Sequence, residues 1–193
     1  MTAEEILAVG VSVLGVWLTT QRSLWNFPFS LASVALYGHI FFTVKLYADM
    51  ALQGVFALTL LYGLKDWRDA RGQANEVPVT RLKSGEGYRG MGLGVCLAAL
   101  IGGLLSSQTD AAVPWLDASL TAASLIATWW VARRRLESWW LWILADVFYV
   151  GVYIYKDLWL TAALYAVFVL LAVRGLRQWT DAYTAHQAAS GLV

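Results

Sequence analysis

Long apolar runs alternate with short polar breaks along most of the chain. A run of about twenty apolar residues is what an α-helix needs to cross the hydrocarbon core of a membrane. The pattern predicts seven helices, at residues 5–20, 25–44, 47–66, 88–107, 112–132, 136–155 and 158–178. The sequence therefore predicts an all-α, polytopic membrane protein with seven transmembrane helices.

Two longer polar segments interrupt this pattern. The segment 66–87 is the only connection between predicted helices that is long enough to serve as a linker. The tail from Thr180 is also polar, and we expect it to fray, because unanchored chain ends are usually poorly ordered. These breaks divide the chain into a three-helix unit, a loop with the linking fourth helix, a second three-helix unit and a tail, at residues 1–67, 68–111, 112–179 and 180–193.

The distribution of positive charge predicts how the helices are oriented. Positively charged loop residues concentrate on the cytoplasmic side of membrane proteins. Of the 14 Lys and Arg residues, Lys45 and Lys156 fall in loops on the N-terminal side of the predicted membrane. The other side carries the remainder: Arg22, Lys65, Arg68, Arg71, Arg81, Lys83, Arg89, Arg133, Arg134, Arg135, Arg174 and Arg177. We therefore expect the N-terminus outside the cell, and the linker and the C-terminal tail in the cytoplasm.

Composition narrows the possible functions. The chain is 59% hydrophobic and 14% charged, with a mean hydropathy of +0.57, which excludes disorder and disfavours a soluble domain. Cys96 and two distant histidines provide neither a disulfide framework nor a metal site. Motifs for zinc proteases, nucleophilic triads and nucleotide-binding loops are missing from the sequence. We therefore expect no enzymatic activity, metal or cofactor, and we expect the basic run 133–135 to contact lipid headgroups, not nucleic acid.

The sixth apolar run carries a carboxylate near its middle. Asp146 is about nine residues from either end of the run, which predicts a position near the bilayer midplane. An ionised group there costs several kcal/mol unless it faces protein, water or a bound partner. Trp139, Trp142, Asp146 and Tyr149 share one helix face. This face suits a flat, cationic, hydroxyl-bearing small molecule; the alternative is a structural carboxylate paired with an arginine or tyrosine of another helix.

An internal repeat relates the first three helices to the last three. At an offset of 112 residues, identical residues align, among them the pairs Trp17 and Trp129, Arg22 and Arg134, Tyr37 and Tyr149, Gly63 and Gly175, and Trp67 and Trp179. Because one helix separates the two triplets, both enter the membrane in the same direction. Parallel repeats with a site between them near the midplane are a transporter architecture.

The two repeats differ at polar positions that we expect to face each other. Asp146 corresponds to Val34, Trp142 to Ser30 and Tyr165 to Gln53. Because the two halves carry different side chains at these positions, we expect one asymmetric ligand to bind between them. We expect its other wall to use Tyr37 and Gln53, together with Ser30, Ser33 and Asn26. For Gln53 the alternative is a hydrogen bond between helices.

Several motifs resemble the PnuC family of vitamin transporters. In the first half they are WNFPF at 25–29, LYADMALQ at 46–53 and LYG at 61–63. In the second half they are ESWWLWI at 137–143, YIYKDLWLTA at 153–162 and GLRQW at 175–179. The resemblance covers nearly the whole chain outside the linker and the tail. It implies a 3+1+3 helical fold related to the SWEET sugar carriers, in a homotrimer of the bacterial inner membrane.

The resemblance also implies a function. The family's named substrate is nicotinamide riboside, taken up by facilitated diffusion, trapped by phosphorylation and used for NAD synthesis; relatives carry thiamine, riboflavin or deoxynucleosides. Members for nicotinamide riboside typically have Asn where Asp146 stands, so uptake of thiamine or riboflavin stays an alternative, as does a non-transporting receptor. A carboxylate beside tryptophan rings would favour a cationic vitamin. The predicted substrate-binding residues are Trp139, Trp142, Asp146, Tyr149, Gln53 and Tyr37.

Overall fold

The computed structural model describes residues 3–43, 45, 47–74, 76–108, 113–155 and 157–189. Over these ranges the chain forms seven α-helices. They are α1 (Ala3–Thr20), α2 (Asn26–Thr43), α3 (Tyr47–Ala74), α4 (Ser84–Gln108), α5 (Pro114–Ala132), α6 (Ser138–Tyr155) and α7 (Trp159–Ala189). Among them, α1, α4, α6 and α7 are long and apolar enough to cross a membrane by length and composition.

Two helices extend further than the apolar runs predict. Helix α3 continues to Ala74 instead of ending near residue 66, which shortens the linker. Helix α7 continues to Ala189, so the prediction of a frayed tail was wrong for residues 180–189. This tail is rich in alanine, the strongest helix former, and Ala182 and Tyr183 pack against the buried core. The apolar pattern marks only the part of each helix that faces lipid or protein, because polar helix formers can continue the helix beyond it.

The helices pack as two three-helix units. Helices α1, α2 and α3 pack in sequence, as do α5, α6 and α7, and α4 packs on α5. The units meet where α1 packs on α7 and α3 packs on α5. The sequence offset of 112 residues relates these two contacts, since it converts α1 into α5 and α3 into α7.

The backbone repeats at the same offset. Four residues other than glycine have a positive φ in the described part of the chain: Arg22 (56°), Lys45 (60°), Arg134 (60°) and Asp157 (57°). Such residues are uncommon, and these four form two pairs separated by 112 residues. The first pair follows the first helix of each unit and the second pair follows the second helix. The two units therefore use the same pair of turns.

Two buried tryptophans join the units reciprocally. Trp67 on α3 donates its indole N–H to the carbonyl oxygen of Val131 (3.1 Å), and Trp179 on α7 donates to that of Thr19 (3.2 Å). Donors and acceptors are both related by the offset. The two rings lie 5.8 Å apart, centroid to centroid, and neither is exposed. The two units thus exchange equivalent hydrogen bonds across their shared interface.

Trp67 and Trp179 lie at the end of the bundle where the turns after α1 and α5 carry arginines, among them Arg22 and Arg134. We call this end the basic end. The linker crosses it as an extended segment, residues 76–83, which we call the strap. Val77 and Val79 of the strap are 4% and 5% exposed and belong to one apolar cluster with Trp67 and Trp179. The strap therefore completes a hydrophobic core to which both units contribute.

Hydrogen bonds fix the strap to the turn between α5 and α6. The N–H of Thr80 donates to the carbonyl of Arg134 (2.9 Å), and the N–H of Leu136 donates to the carbonyl of Thr80 (2.9 Å). Glu137 accepts bonds from the backbone N–H of Leu82 (2.9 Å) and from Nε of Arg81 (3.1 Å). These contacts order a segment whose composition alone indicates only a polar linker.

The strap also breaks the equivalence of the two units. Arg134 pairs with Asp66 at 2.7 Å, and the positions equivalent to these are Arg22 and Gln178. Arg22 instead bonds to the strap, at the carbonyl of Val77 (3.0 Å) and at Glu76 (3.2 Å). The buried Oε1 of Gln178 accepts no hydrogen bond from the described residues. One arginine thus ties the units together and its equivalent ties down the strap.

Candidate binding cavity

A cavity of about 350 Å³ lies between the two units. Small-molecule sites usually fall between about 300 and 1,000 Å³, so this volume suits a ligand of vitamin size. Helices α1, α2 and α3 line one side and α5, α6 and α7 line the other. Helix α4 contributes no lining residue in the described part of the chain.

The internal repeat organises the lining of this cavity. Equivalent residues of the two units face it in seven pairs: Val16 and Thr128, Thr19 and Val131, Phe27 and Trp139, Ser30 and Trp142, Val34 and Asp146, Phe56 and Phe168, and Leu60 and Ala172. Most pairs join two apolar groups or differ only modestly. The pairs on α2 and α6 differ most, because α6 supplies two indoles and a carboxylate where α2 supplies a phenyl, a hydroxyl and an isopropyl group. The cavity is therefore asymmetric in chemistry although its frame is repeated.

Asp146 is the only charged residue among the described residues that line the cavity. It lies in the middle of α6 and is 4% exposed. It forms no hydrogen bond or ion pair with a described residue, so the pairing with an arginine or tyrosine of another helix is not observed there. A buried carboxylate without such a partner is costly. A cation or a hydrogen-bond donor entering the cavity would reduce that cost.

Two tryptophans of α6 stand beside Asp146 on the cavity wall. Trp139 is 2% exposed and meets Trp179 edge to face, at 5.4 Å between ring centroids. Its indole N–H is buried without a hydrogen-bond acceptor among the described residues. Trp142 lines the cavity and is half-buried. Trp140, between them in sequence, is 61% exposed and lies off the cavity. The wall thus offers a ring face and an unused donor next to a carboxylate.

Three of the predicted binding residues do not line this cavity. The ring of Tyr149 lies 4.8 Å from the ring of Tyr165, which does line it. Tyr37 stacks on Phe41, with ring centroids 6.1 Å apart. Gln53 packs against α2 beside Gly38. All three belong to the part of the bundle opposite the basic end, so their role in binding stays a prediction.

Polar groups from several helices complete the lining. Asn26, Ser30 and Ser33, which the sequence suggested for the opposite wall, all line the cavity. Sequence reasoning did not select Ser12 or Thr128. Ser12 shares a hydrogen bond with Ser33, and Thr128 donates to the carbonyl of Ser124 at 2.7 Å. No charge or motif in the sequence marks these two residues.

Comparison with known proteins identifies the family. A family model described as "Nicotinamide mononucleotide transporter" matches residues 2–181. The chain belongs to this family, which includes the PnuC transporters. It is accordingly a multi-pass membrane transporter.

Similar proteins within the family differ in their named substrates. The nicotinamide riboside transporter PnuC of Escherichia coli (strain K12) is 24% identical over 204 residues, covering 91% of this chain and 85% of that protein. The riboflavin/roseoflavin transporter RibM of Streptomyces davaonensis is 26% identical over 170 residues, covering 82% of this chain and 76% of that protein. Family membership therefore fixes the type of protein more closely than its substrate.

A solved structure resembles the fold. The crystal structure of the vitamin B3 transporter PnuC matches with a TM-score of 0.74 and 24% sequence identity. The match covers 93% of this chain and 81% of that chain. The seven-helix arrangement described above is thus the fold of a known vitamin transporter.

Proposed function

We propose that this protein takes up a cationic aromatic vitamin by facilitated diffusion and that its substrate is nicotinamide riboside, which feeds NAD synthesis. The observation that carries this proposal is the carboxylate of Asp146, buried in a ligand-sized cavity without a cationic partner among the described residues. The pyridinium ring of nicotinamide riboside supplies that missing positive charge. The similarity to PnuC of Escherichia coli and to RibM of Streptomyces davaonensis supports uptake of a vitamin.

The lining suggests how the substrate would bind. Its ring would stack on Trp142 or Trp139, and its charge would be balanced by Asp146. The indole N–H of Trp139, unused in the described structure, suits the carbonyl oxygen of a carboxamide. Ribose hydroxyls would bond to Asn26 and Ser30, which line the facing wall. Tyr37, Gln53 and Tyr149 would contact the substrate on its way in from the opposite end.

The architecture we propose is a 3+1+3 arrangement of two parallel repeats, as in the SWEET carriers, assembled as a homotrimer in the inner membrane of a bacterium. The reciprocal bonds of Trp67 and Trp179 and the paired turns at Arg22 and Arg134 support the repeat. In this arrangement the N-terminus faces outward and the basic end faces the cytoplasm, as the positive-inside rule requires.

Transport would occur by rocking one unit against the other. The interfaces that must move are α1 on α7 and α3 on α5, because these join the two units. At the basic end they are closed by the two tryptophans and covered by the strap. Substrate would enter from the opposite end and leave when these contacts separate. Phosphorylation in the cytoplasm would then prevent its return.

A thiamine or riboflavin carrier is the second candidate. The observation that favours thiamine is Asp146 itself, since nicotinamide riboside transporters of the resembled family typically have an asparagine there. Thiamine also carries a ring cation that a carboxylate would attract. Riboflavin is uncharged and would make no such use of Asp146, although RibM is similar in sequence.

Counterflow of labelled nicotinamide riboside into proteoliposomes tests the proposal. We expect exchange in the wild type, with inhibition by an unlabelled cationic substrate. Asp146→Ala removes the carboxylate and should weaken binding of the cation on the order of tenfold to a hundredfold. An uncharged analogue should lose much less.

Three results would contradict the proposed mechanism. Binding without exchange would indicate a receptor. An equal loss of affinity for charged and uncharged ligands would make Asp146 structural. Accumulation of unmodified substrate against its gradient would exclude facilitated diffusion. If thiamine or riboflavin exchanges and nicotinamide riboside does not, the mechanism stands and the substrate assignment fails.

A further inference from the structure

A second cavity, of about 210 Å³, lies between the beginning of α4 and the end of α5. It shares no lining residue with the cavity between the two units, in which we propose that the vitamin binds. Three arginines and one glutamate line it, namely Arg89, Arg133, Arg135 and Glu86. The transport mechanism above assigns no role to this cavity.

Positive charge in the second cavity exceeds what the described protein neutralises. Arg135 is fully occupied, because it bonds to Glu86 at 2.7 Å and to Thr80 at 3.1 Å. Arg133 is only 3.8 Å from the same glutamate, which it therefore shares. Arg89 is exposed and forms no hydrogen bond or ion pair with the described residues. Arg89 is thus available for an external anion, and Arg133, whose guanidinium carbon also lies 5.8 Å from the centroid of the Trp129 ring, is only partly neutralised by the shared glutamate.

The rest of the cavity is apolar and open toward the outside of the bundle. Leu93 and Trp129 are 54% and 40% exposed, and Trp130 forms a buried floor. Gly90 brings α4 close to that floor, since a Cβ there would lie 2.6 Å from the Trp130 ring. The apolar wall continues along the same face of α4, at the helical spacing of Leu93, to Leu100 and Leu104, which are 62% and 53% exposed. A ligand held here would have a charged end beside arginines and an apolar part along a lipid-facing helix.

We propose that this cavity binds an anionic phospholipid. Its phosphate would be held by Arg89 and Arg133, whose planar guanidinium groups match phosphate oxygens. Its acyl chain would lie on Leu93 and Trp129. Basic pockets between transmembrane helices are known to hold anionic headgroups. Free phosphate shares the headgroup chemistry but would leave the exposed apolar wall uncovered, so the lipid fits the whole cavity.

An anion bound in this cavity would also affect the strap. Glu86 on α4 joins Arg135 at the turn between α5 and α6, where Thr80 of the strap is also bonded. A phosphate on Arg89 and Arg133 would relieve the repulsion among the arginines around that glutamate. Bound lipid should therefore stabilise the contact of α4 with α5 and with the strap.

Thermal unfolding of the purified full-length protein in neutral detergent, with and without added lipid, tests the proposal. Phosphatidylglycerol should raise the Tm by roughly 4 °C or more at saturation, while phosphatidylcholine and inorganic phosphate should not. Native mass spectrometry should show phosphatidylglycerol retained on the wild type. The Arg89→Gln/Arg133→Gln variant should bind it about tenfold more weakly, because two charge-assisted contacts are lost. The matched control, Arg68→Gln/Arg71→Gln, removes two exposed arginines of α3 at the same end and should behave as the wild type.

Each of the following outcomes would overturn the proposal. Equal stabilisation by phosphatidylcholine would mean that the headgroup is not recognised, and equal stabilisation by inorganic phosphate would replace the lipid with a free anion. Equal loss in the control variant would indicate a general charge effect. If the double variant fails to fold, Arg89→Gln alone decides, because Arg89 forms no hydrogen bond or ion pair with described residues that the substitution would remove; unchanged lipid binding in that variant would refute the site. None of these readouts depends on which vitamin is transported.

Discussion

Gly175 on α7 lies directly against the indole of Trp139 on α6. A Cβ added to Gly175 would lie 2.6 Å from Cε2, Cζ2 and Cη2 of that ring. Carbon atoms do not approach this closely without movement. Gly63, the equivalent residue of the first unit, lies against Phe27 in the same way, at 3.0 Å. Each unit therefore uses a glycine to admit the aromatic residue that lines the cavity between the two units.

We predict that Gly175→Ala displaces Trp139 and destabilises the protein by about 1–3 kcal/mol, the usual cost of overpacking. Thermal unfolding in detergent measures this. Gly54→Ala is the control, because nothing lies within 4 Å of the added Cβ, and alanine should gain up to about 1 kcal/mol as the better helix former. Equal stability of Gly175→Ala and the control would show that the ring of Trp139 moves freely.

Trp142 and Trp140 allow a matched comparison on one helix. Trp142 lines the cavity between the two units and Trp140 is 61% exposed on another face. Trp142→Ala should weaken binding of an aromatic cation by about 1–2 kcal/mol through lost stacking. Trp140→Ala should leave affinity unchanged. Calorimetry with nicotinamide riboside and thiamine provides the measurement, and unchanged binding in Trp142→Ala would remove this residue from the site.

The reciprocal bonds of Trp67 and Trp179 predict equal effects in the two units. Phenylalanine at either position keeps an aromatic ring but removes the indole donor, which leaves the carbonyl of Val131 or Thr19 with its backbone donor from the following turn. Each substitution should cost about 0.5–1.5 kcal/mol, and the two values should agree. Trp25→Phe, at a residue 68% exposed, should have little effect on thermal unfolding. A large difference between the two buried variants would contradict the proposed equivalence of the units.

The apolar runs predict where helices lie because lipid and core both require apolar surfaces. They fail for the strap, because Val77 and Val79 sit in a polar segment and are buried only by Trp67 and Trp179, which come from distant parts of the chain. They fail for residues 180–189 for a different reason, since an alanine-rich polar sequence can continue a helix without a long apolar run, and Ala182 and Tyr183 alone are enough to hold it against the core.

The sequence likewise predicted only some of the residues that line the candidate site. Helical spacing alone places Trp139, Trp142 and Asp146 on one face, and these three do line one cavity. Tyr149 shares the face but lies a turn further along, where Tyr165 of α7 stands between it and the cavity. Which helix covers the end of a face depends on tertiary packing, so spacing within α6 could not predict this. The comparison of the two repeats did mark Tyr165 as a polar position that differs between them, although Tyr165 was not among the predicted binding residues.

Glu86 gives a prediction about pH. It lies in the first turn of α4, before the apolar run. Burial raises the pKa of its carboxyl group, but the guanidinium groups of Arg135 and Arg133 and the backbone N–H of Lys83 outweigh this, and the pKa falls below its ordinary value of 4.5. The folded protein therefore favours the carboxylate. Its contribution to stability is complete above pH 4.5 and is lost as the pH falls through the lowered pKa.

We therefore expect Glu86→Gln to have a lower Tm than the wild type at pH 7, because the amide cannot neutralise the two arginines. As the pH falls through the lowered pKa of Glu86, the wild-type carboxyl also becomes neutral, so the two melting temperatures should converge. Glu76→Gln serves as the control, since its ion pair with Arg22 is exposed and such pairs contribute little. A difference that stays constant between pH 7 and acid would mean that Glu86 acts through its shape and hydrogen bonds, and not through its charge.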